Sequence, residues 1–489
     1  MMASAQRPEV VVIGAGISGL CAAYELTNNA NEISPRVTVI DAAHRVGGNI
    51  QPLDFGSRVL DGGPDGVLAR RPEFHQLCSE LGIASDIVPI AARGAAVYAR
   101  GVLRPLPDGL IMGIPTDTAA LQASKILSRR GFLRVLRDRF APVPSSRGAL
   151  QDRAIGNLVG TKLGKEVVAT LVDPMLGGIN AGRVSEMSAA AVYPPLLAAA
   201  QERGSLMAAL KAQLPTPGQD GADEETPAFQ SLYSGLFSLA TTLKDLLASR
   251  GVTFLLDTAI TDVRYNPKVA PCWSVNSLET TTRADAVIVA LPAARAAALL
   301  RDLDQELSAL LSTIETASVA IITMEVSEGT LAFPETGTGV LVPPETPLPN
   351  GDFAGERFLM TALTFLDRKW PHLKKPGTFL FRVHMGRSDD ERTLTMSDEE
   401  LVARACEELR LLTGTPPDLL NVSVTRWPAS LPQYQVNHLM RVAAIEQGAQ
   451  RSPGLFVAGN SYTGIGVPAC IASGRTAGSN ARHLLTQGR

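Results

Sequence analysis

The first residues whose types and spacing can do chemistry are Gly14-Ala15-Gly16-Ile17-Ser18-Gly19 and, about 20 residues further on, Asp41. The apolar run Val10 to Ile13 precedes the glycines, and Ile17 to Leu26 carries apolar residues at helical spacing. A polar turn from Asn28 to Pro35 leads into Val37 to Ile40, which ends at Asp41. Gly14 allows a tight turn, Gly16 lets the backbone approach a pyrophosphate, and Gly19 lets the helix pack closely on the strand. The helix N-terminus presents free N–H groups and partial positive charge to the phosphates. The carboxylate of Asp41 is placed to accept ribose hydroxyls. Strand, glycine turn, helix, strand and acid together predict a dinucleotide site.

The run from Asp41 to Gly48 adds Ala42, Arg45, Gly47 and Gly48, with Asn49 following. Arg45 supplies a cation for phosphates, and the second glycine pair allows further backbone contact with an extended cofactor. The competing reading of Arg45 is a surface ion pair. Asp61-Gly-Gly63-Pro64-Asp65-Gly66 reads as a tight turn against something flat. Near the C-terminus, Leu455 to Ala458 is a buried strand entering Gly459-Asn460. Gly464-Ile465-Gly466-Val467-Pro468 then opens a small-residue helix whose N-terminus can stabilise negative charge.

Other chemistries find little support. Five cysteines (Cys21, Cys78, Cys272, Cys406, Cys470) include no Cys-x-x-Cys, and six histidines include no pair four apart, so no metal site is expected. The scattered thiols read as reduced, in a cytosolic chain. A net charge of −3 and 5% aromatics argue against nucleic acid. No uncharged apolar run reaches the ~18 residues of a membrane span, and the start of the chain does not read as a signal peptide.

The elements that must position these groups are spread along 489 residues. Strand-like runs recur at Val252 to Leu256, Ala286 to Ala290, Ser318 to Met324, Phe358 to Thr364 and Thr378 to His384, and Asp398 to Leu412 reads as a helix. An alanine- and leucine-rich helical stretch occupies about 104 to 214. Within it, Ala119 to Phe140 sets six cations against Asp138; an anionic membrane surface and a solvated cationic face are equally open readings. Gln213 to Pro227 is the clearest linker. The fold class is α/β: a Rossmann-like cofactor domain assembled from discontinuous segments (1–87, 215–292 and 432–489), an α+β substrate domain (88–103 and 293–431) and an inserted helical domain (104–214).

Several segments together resemble the protoporphyrinogen/coproporphyrinogen oxidase family of FAD enzymes, within the amine-oxidase-like flavoproteins. They are the Asp41 to Gly48 extension, Gly63 to Gly66, Asp173-Pro-Met-Leu-Gly-Gly178-Ile-Asn-Ala-Gly182, Ser234 to Leu239, Arg426-Trp427 to Pro432-Gln433-Tyr434, and Gly454 to Gly474. The resemblance implies that FAD is held by Gly14 to Gly19, Asp41, Ala42, Arg45, Gly47 to Asn49, Gly63 to Gly66, the Ile260 backbone, Trp427, Gly459, Asn460 and Ile465 to Val467. It implies removal of six electrons from a porphyrinogen in three flavin cycles, with O2 reduced to H2O2 and no dedicated catalytic side chain. Gly178 then lies against a pyrrole, where a side chain would block a flat ring.

The chain departs from the family where relatives carry a propionate-pairing arginine, since Ala95 and Ala96 stand there. Arg93 is the nearby substitute or a surface residue. His384 stands where relatives place an aromatic or Met beside the macrocycle; a strand histidine with no ligand is the favoured alternative. The segment Thr361 to Pro371 and the arginine set are similar to the coproporphyrinogen III type, in a cytoplasmic protein of haem biosynthesis with other pathway enzymes as partners. Peripheral contact with the inner face of the cell membrane stays open. The alternatives are a protoporphyrinogen IX oxidase, an amine or carotenoid oxidase, and a non-catalytic FAD/tetrapyrrole carrier.

Overall fold

The computed structural model describes residues 7–28, 34–141, 152–201, 204–213, 227–349 and 354–487. The expected linker lies, apart from Gln213 and Pro227, outside the described residues. The chain forms two compact units. The first comprises Met1–Pro89, Ala228–Glu315 and Leu439–Arg489, and the second Ile90–Pro227 and Thr316–His438. The helices Ala293–Leu300 and Gln305–Ser312, assigned by the sequence reading to the substrate domain, lie in the first unit. The helical stretch lies in the second.

The first unit is built on a five-stranded sheet in the order Thr253–Leu255, Arg36–Ile40, Glu9–Ile13, Ala286–Val289, Leu455–Val457. Every pairing is parallel, with Val10 to Ile13 opposite Val37 to Ile40 on one side and Ala286 to Val289 on the other. A parallel sheet is covered on both faces, which is why its central strands are unbroken apolar runs. Val10 and Val12 pack into one core with the helices Ile17–Thr27, Phe237–Ser249 and Val467–Gln487. Val11 and Ile13 pack into the other, with Ala293–Leu300, Gln305–Ser312 and a three-stranded antiparallel sheet (Ile260–Tyr265, Trp273–Ser277, Thr281–Ala284).

The helix after the glycine turn packs on the C-terminal helix without intervening side chains. A Cβ on Gly474 would overlap the Ser18 carbonyl oxygen, and one on Gly478 would come 2.6 Å from that of Ala22. Arg475 and Arg482 pair with Glu25 across the same contact.

The second unit holds a seven-stranded sheet in the order Leu419–Pro432, Thr316–Ser327, Thr378–Met385, Met360–Phe365, Gly339–Leu341, Ala96–Ala99, Val102–Pro105. Only the pairing of Gly339–Leu341 with Ala96–Ala99 is parallel. One face, with Ile322, Met324, Phe381 and Val383, covers the helix Asp398–Thr413. On the other face Val97 and Leu341 join a core of helices that includes Ile155–Leu163 and the wide π-type turns of Val168–Gly177.

The basic segment is not one helix. Thr118–Ser124 ends at Lys125 in the left-handed region (φ 53°), and Arg129–Val135 follows with its own Ser128 cap. Asp138 does not balance the cations: it is buried, and accepts from the Ser205 hydroxyl at 2.6 Å and the Met207 N–H at 3.0 Å. Among the described residues, no helix is long and apolar enough to cross a membrane.

Replacing Gly474 by Val tests the helix contact. Overpacking against a fixed backbone carbonyl costs ~1–3 kcal/mol, more than the small gain in helix propensity returns. Gly474→Val should lower Tm by several degrees, whereas Thr476→Val, exposed on the same helix, should change it little. An unchanged Tm for Gly474→Val would show that the helices can separate freely.

Candidate functional site: the glycine-lined cradle and the open sheet face

In the first unit the two glycine runs meet. Gly14 has φ 108°, and a Cβ there would lie 2.5 Å from the Ala290 oxygen, so the turn admits no side chain. Gly16 lies in a short parallel bridge with Gly47, whose N–H donates to Ala15 O at 2.8 Å. Gly48 comes so close that its Cβ would sit 3.2 Å from Gly16 Cα. In front of Gly16 itself a Cβ would meet no atom of another described element within 4 Å. Gly16 caps the helix Ile17–Thr27 with no side-chain hydrogen bond. With no capping side chain, the positive end of this helix is left to the open side of Gly16, which suits a pyrophosphate.

Asp41 organises this cradle. Its Oδ2 accepts from the Ala15 N–H at 2.6 Å and its Oδ1 from the Ala43 N–H at 2.8 Å. The sequence reading gave the carboxylate to ribose hydroxyls alone; in the structure each oxygen already holds a backbone N–H and keeps its other lone pairs. Ala42 beside it is exposed. Asp257 and Thr258 donate backbone N–H groups to Ala43 O (3.1 Å) and Asp41 O (2.9 Å), which brings the strand start at Ile260 to this end of the sheet.

Arg45 turns onto its own loop, donating to Gly48 O at 3.0 Å and to the Gln51 side chain. Burial lowers its pKa and Asp41 partly offsets this. Gly47 is buried, while Gly48 and Asn49 are exposed at the loop tip.

The Asp61 turn has a role that sequence reasoning missed. Asp61 accepts from the N–H groups of Leu236 (3.0 Å) and Phe237 (2.9 Å), at the start of the helix Phe237–Ser249. It thereby ties the Gly63-Pro64-Asp65-Gly66 run to the Ser234 to Leu239 turn. The signal available was an acid beside a glycine turn, with its helix about 175 residues away in the chain, a separation no local pattern bridges.

At the C-terminal turn, Gly459 (φ 136°) donates its N–H to Ser473 Oγ at 3.0 Å, and Asn460 follows it. Gly464 has φ 146°, and a Cβ there would lie 2.6 Å from that of Ala469. Ile465 and the exposed Gly466 then lead into the helix at Val467. Cys470 is buried there and its thiol is pushed up to about 11, so it is no nucleophile at neutral pH. Among the described residues no cluster of His, Cys, Asp or Glu could hold a metal ion.

The second unit carries Gly178, His384, Arg93 and Trp427. A row of side chains crosses its sheet through the pairs Val97–Leu341, Leu341–Ala362, Ala362–His384, His384–Ile321 and Ile321–Thr425. Trp427, opposite Val319, belongs to the next row on the same face. His384 is half-buried, with Nε2 3.0 Å from Thr364 Oγ1. Gly178, at the end of the wide turns, approaches this row: among the described residues, Leu341 Cδ2 is the nearest atom from another element to its missing Cβ, at 3.9 Å. Gly178 and His384 thus share one face, two strands or ~10 Å apart. Arg93 is exposed and lies before the strand Ala96–Ala99, separated from it by Gly94 at φ 77°. The Trp427 indole N–H is buried without an acceptor among the described residues. So are both terminal nitrogens of Arg387, a residue the sequence reading did not select.

The Asp41 geometry carries a direct expectation. Asp41→Ala removes the acceptor that holds the Ala15 and Ala43 amides, so the purified chain should lose most of its FAD absorbance. Asp41→Asn, which keeps an acceptor oxygen, should retain more. The measurement is the ratio of flavin to protein absorbance, and equal ratios for wild type and Asp41→Ala would refute the role.

The geometry has close counterparts. The family model for flavin-containing amine oxidoreductases matches residues 17–480. The coproporphyrinogen III oxidase of Bacillus subtilis is 31% identical over 97% of this chain and 98% of its own length. The protoporphyrinogen oxidase of Bos taurus is 30% identical over 96% and 97%. A crystal structure from Exiguobacterium sp. 255-15 superposes with a TM-score of 0.84 at 28% identity, covering 99% of this chain and all of that one. The cradle around Gly16, the uncapped helix N-terminus and Asp41 suit FAD, and the chain is an FAD oxidoreductase that belongs to the flavin-containing amine oxidoreductase family.

Proposed function

We propose that the chain oxidises coproporphyrinogen III to coproporphyrin III, removing six electrons with O2 as acceptor and forming three H2O2, as a step of haem formation. The observation that carries this is end-to-end similarity: the coproporphyrinogen III oxidase of Bacillus subtilis aligns over 98% of its length, so both units have counterparts. The second unit supports it with a glycine, Gly178, facing a sheet row in which Leu341, Ala362 and His384 are half-buried, where a flat macrocycle needs clearance.

FAD, when bound, supplies the two-electron acceptor for each of the three oxidations. The chain's part is to hold and orient. The Gly14 to Gly19 turn and Asp41 fix the dinucleotide end, with the Gly63 to Gly66 and Ile465 to Val467 turns proposed along the rest of the cofactor. The Trp427 N–H offers a donor to a ligand oxygen. His384 is tied to Thr364 and is proposed to give a flat, polar surface rather than to move protons. Burial raises the thiols of all five cysteines, so none supplies covalent catalysis. Protoporphyrinogen IX is the second reading, favoured by the similarity to the Bos taurus enzyme.

We further propose a cytoplasmic enzyme, near its pathway partners, that touches the membrane from one side. Leu133, Leu136 and Phe140 are 57%, 49% and 85% exposed among the exposed Arg129, Arg130, Arg137 and Arg139. Apolar side chains interleaved with cations suit an anionic lipid surface.

The purified enzyme should oxidise coproporphyrinogen III faster than protoporphyrinogen IX, with about three H2O2 per porphyrin, as three two-electron steps with O2 require. Porphyrin fluorescence and peroxide release measure this; a preference for protoporphyrinogen IX would overturn the substrate assignment. The wild type should also sediment with anionic vesicles but not with neutral ones, and Leu133→Asp with Phe140→Asp should abolish it. Equal sedimentation of the double variant would remove the membrane contact.

A further inference from the structure

Arg387 leaves the sheet just after the Thr378–Met385 strand, through Gly386 at φ 94°. The segment it belongs to is pinned along the turn that carries Gly178. The Ser388 N–H donates to Ala181 O at 2.7 Å, and Asp389 accepts from Arg183 at 2.6 and 2.9 Å. Arg387 Nη1 lies 3.9 Å from the point where a Cβ on Gly177 would stand, and a Cβ there would meet the Gly182 oxygen at 2.7 Å.

The side chain is 5% exposed, yet Nη1 and Nη2 find no hydrogen-bond acceptor among the described residues, and Arg387 forms no ion pair with them. The neighbouring acids are already engaged. Asp173 accepts from the Val184 N–H at 3.0 Å and pairs with Arg183 at 3.5 Å; Glu345 and Asp389 also pair with Arg183, and Asp390 pairs with Arg392 at 2.5 Å. Arg404, equally buried, shows the usual arrangement: it holds Glu408 at 2.6 Å and Glu356 at 3.0 Å. Burial and the nearby Arg183 push the Arg387 pKa down to about 10, which leaves it charged at neutral pH. An enclosed guanidinium without an acceptor is costly and signals a partner that arrives with the ligand. Two glycines in a row, Gly177 and Gly178, leave no side chain of their own over it.

We propose that Arg387 is a substrate-binding residue that receives one carboxylate of the tetrapyrrole. This rests on the porphyrinogen reading above. The planar fork of a guanidinium matches a carboxylate in two-point contact, which would fix the rotation of the macrocycle over Gly178 as well as its affinity.

The test uses the FAD-loaded full chain as wild type, Arg387→Met and Arg387→Lys. Binding of coproporphyrin III and of its tetramethyl ester is followed by fluorescence quenching, with KM and kcat for coproporphyrinogen III and Tm alongside. The wild type should bind the acid more tightly than the ester. Arg387→Met should weaken the acid and raise KM by about tenfold, the scale of one charge-assisted contact. It should leave ester binding and kcat near wild type, and Tm equal or higher, because an unpaired buried charge is removed. Arg387→Lys should recover part of the loss.

A variant that binds acid and ester as the wild type does overturns the proposal. So does a large fall in Tm for both variants, which marks a structural arginine. Inorganic phosphate that raises the wild-type Tm through Arg387, with acid and ester bound equally, assigns the site to a free anion and also overturns it. A wild type that neither binds coproporphyrin III nor oxidises either porphyrinogen defeats the functional reading itself, and this inference with it. Loss confined to the variants leaves that reading standing.

Discussion

The Asp41 carboxylate, held between the amides of Ala15 and Ala43, is the interaction on which the cofactor unit depends. It joins a turn after the first strand to a loop after the second, and the Gly47 N–H to Ala15 O bond closes the same ring from the other side. Charge-assisted bonds of this kind are short and directional. They hold two glycine runs rigid, although glycine alone would leave them mobile. The open space ahead of Gly16 exists because its neighbours are fixed. The sheet makes this possible: four parallel pairings bring strands from both ends and the middle of the chain to one edge, so the Gly459 and Ile260 turns arrive in the same unit.

Much of that unit was legible in the sequence because its constraints are local. The Val10 to Ile13 run reads as a doubly covered strand, and Gly14, Gly16 and Gly19 read as a turn whose geometry excludes side chains. Asp41 was found by its distance from the glycines. What it touches was not, since its partners are backbone amides that carry no residue code. The same reason hid Asp61, whose bonds go to the backbone of Leu236 and Phe237. The basic stretch was read as helical, and the structure divides it into separate short helices. Composition favours a helix there, but Lys125 takes a left-handed conformation and Asp138 is drawn inward to cap a distant helix.

The second unit was harder to read. A strand reveals which residues alternate, but His384 was selected from the family resemblance, with a strand histidine as the favoured alternative. The row through Leu341, Ala362, His384 and Ile321 is a property of register across four strands, which pairing alone decides. Arg387 was invisible for a further reason. One more arginine in a chain with 45 Lys and Arg carries no signal, and its character lies in the acceptors it lacks. Those are missing because Arg183, Arg392 and their acids satisfy one another.

The proposed recognition uses opposite physical means in the two units. The cofactor cradle consists of glycines and backbone groups that Asp41 fixes in place, around a helix N-terminus with no side-chain cap. The second unit keeps buried groups that find no partner among the described residues, the Arg387 guanidinium and the Trp427 indole N–H. A stability-optimised sequence would replace a buried unpaired cation with an apolar side chain of similar volume. Its retention here makes sense if the deficit is relieved when a ligand binds, because binding then gains the hydrogen bonds that folding forgoes. A site of that kind discriminates strongly: an analogue lacking the complementary oxygen leaves the buried donors unpaired, so carboxylate-bearing and esterified rings are separated more sharply than shape alone would allow.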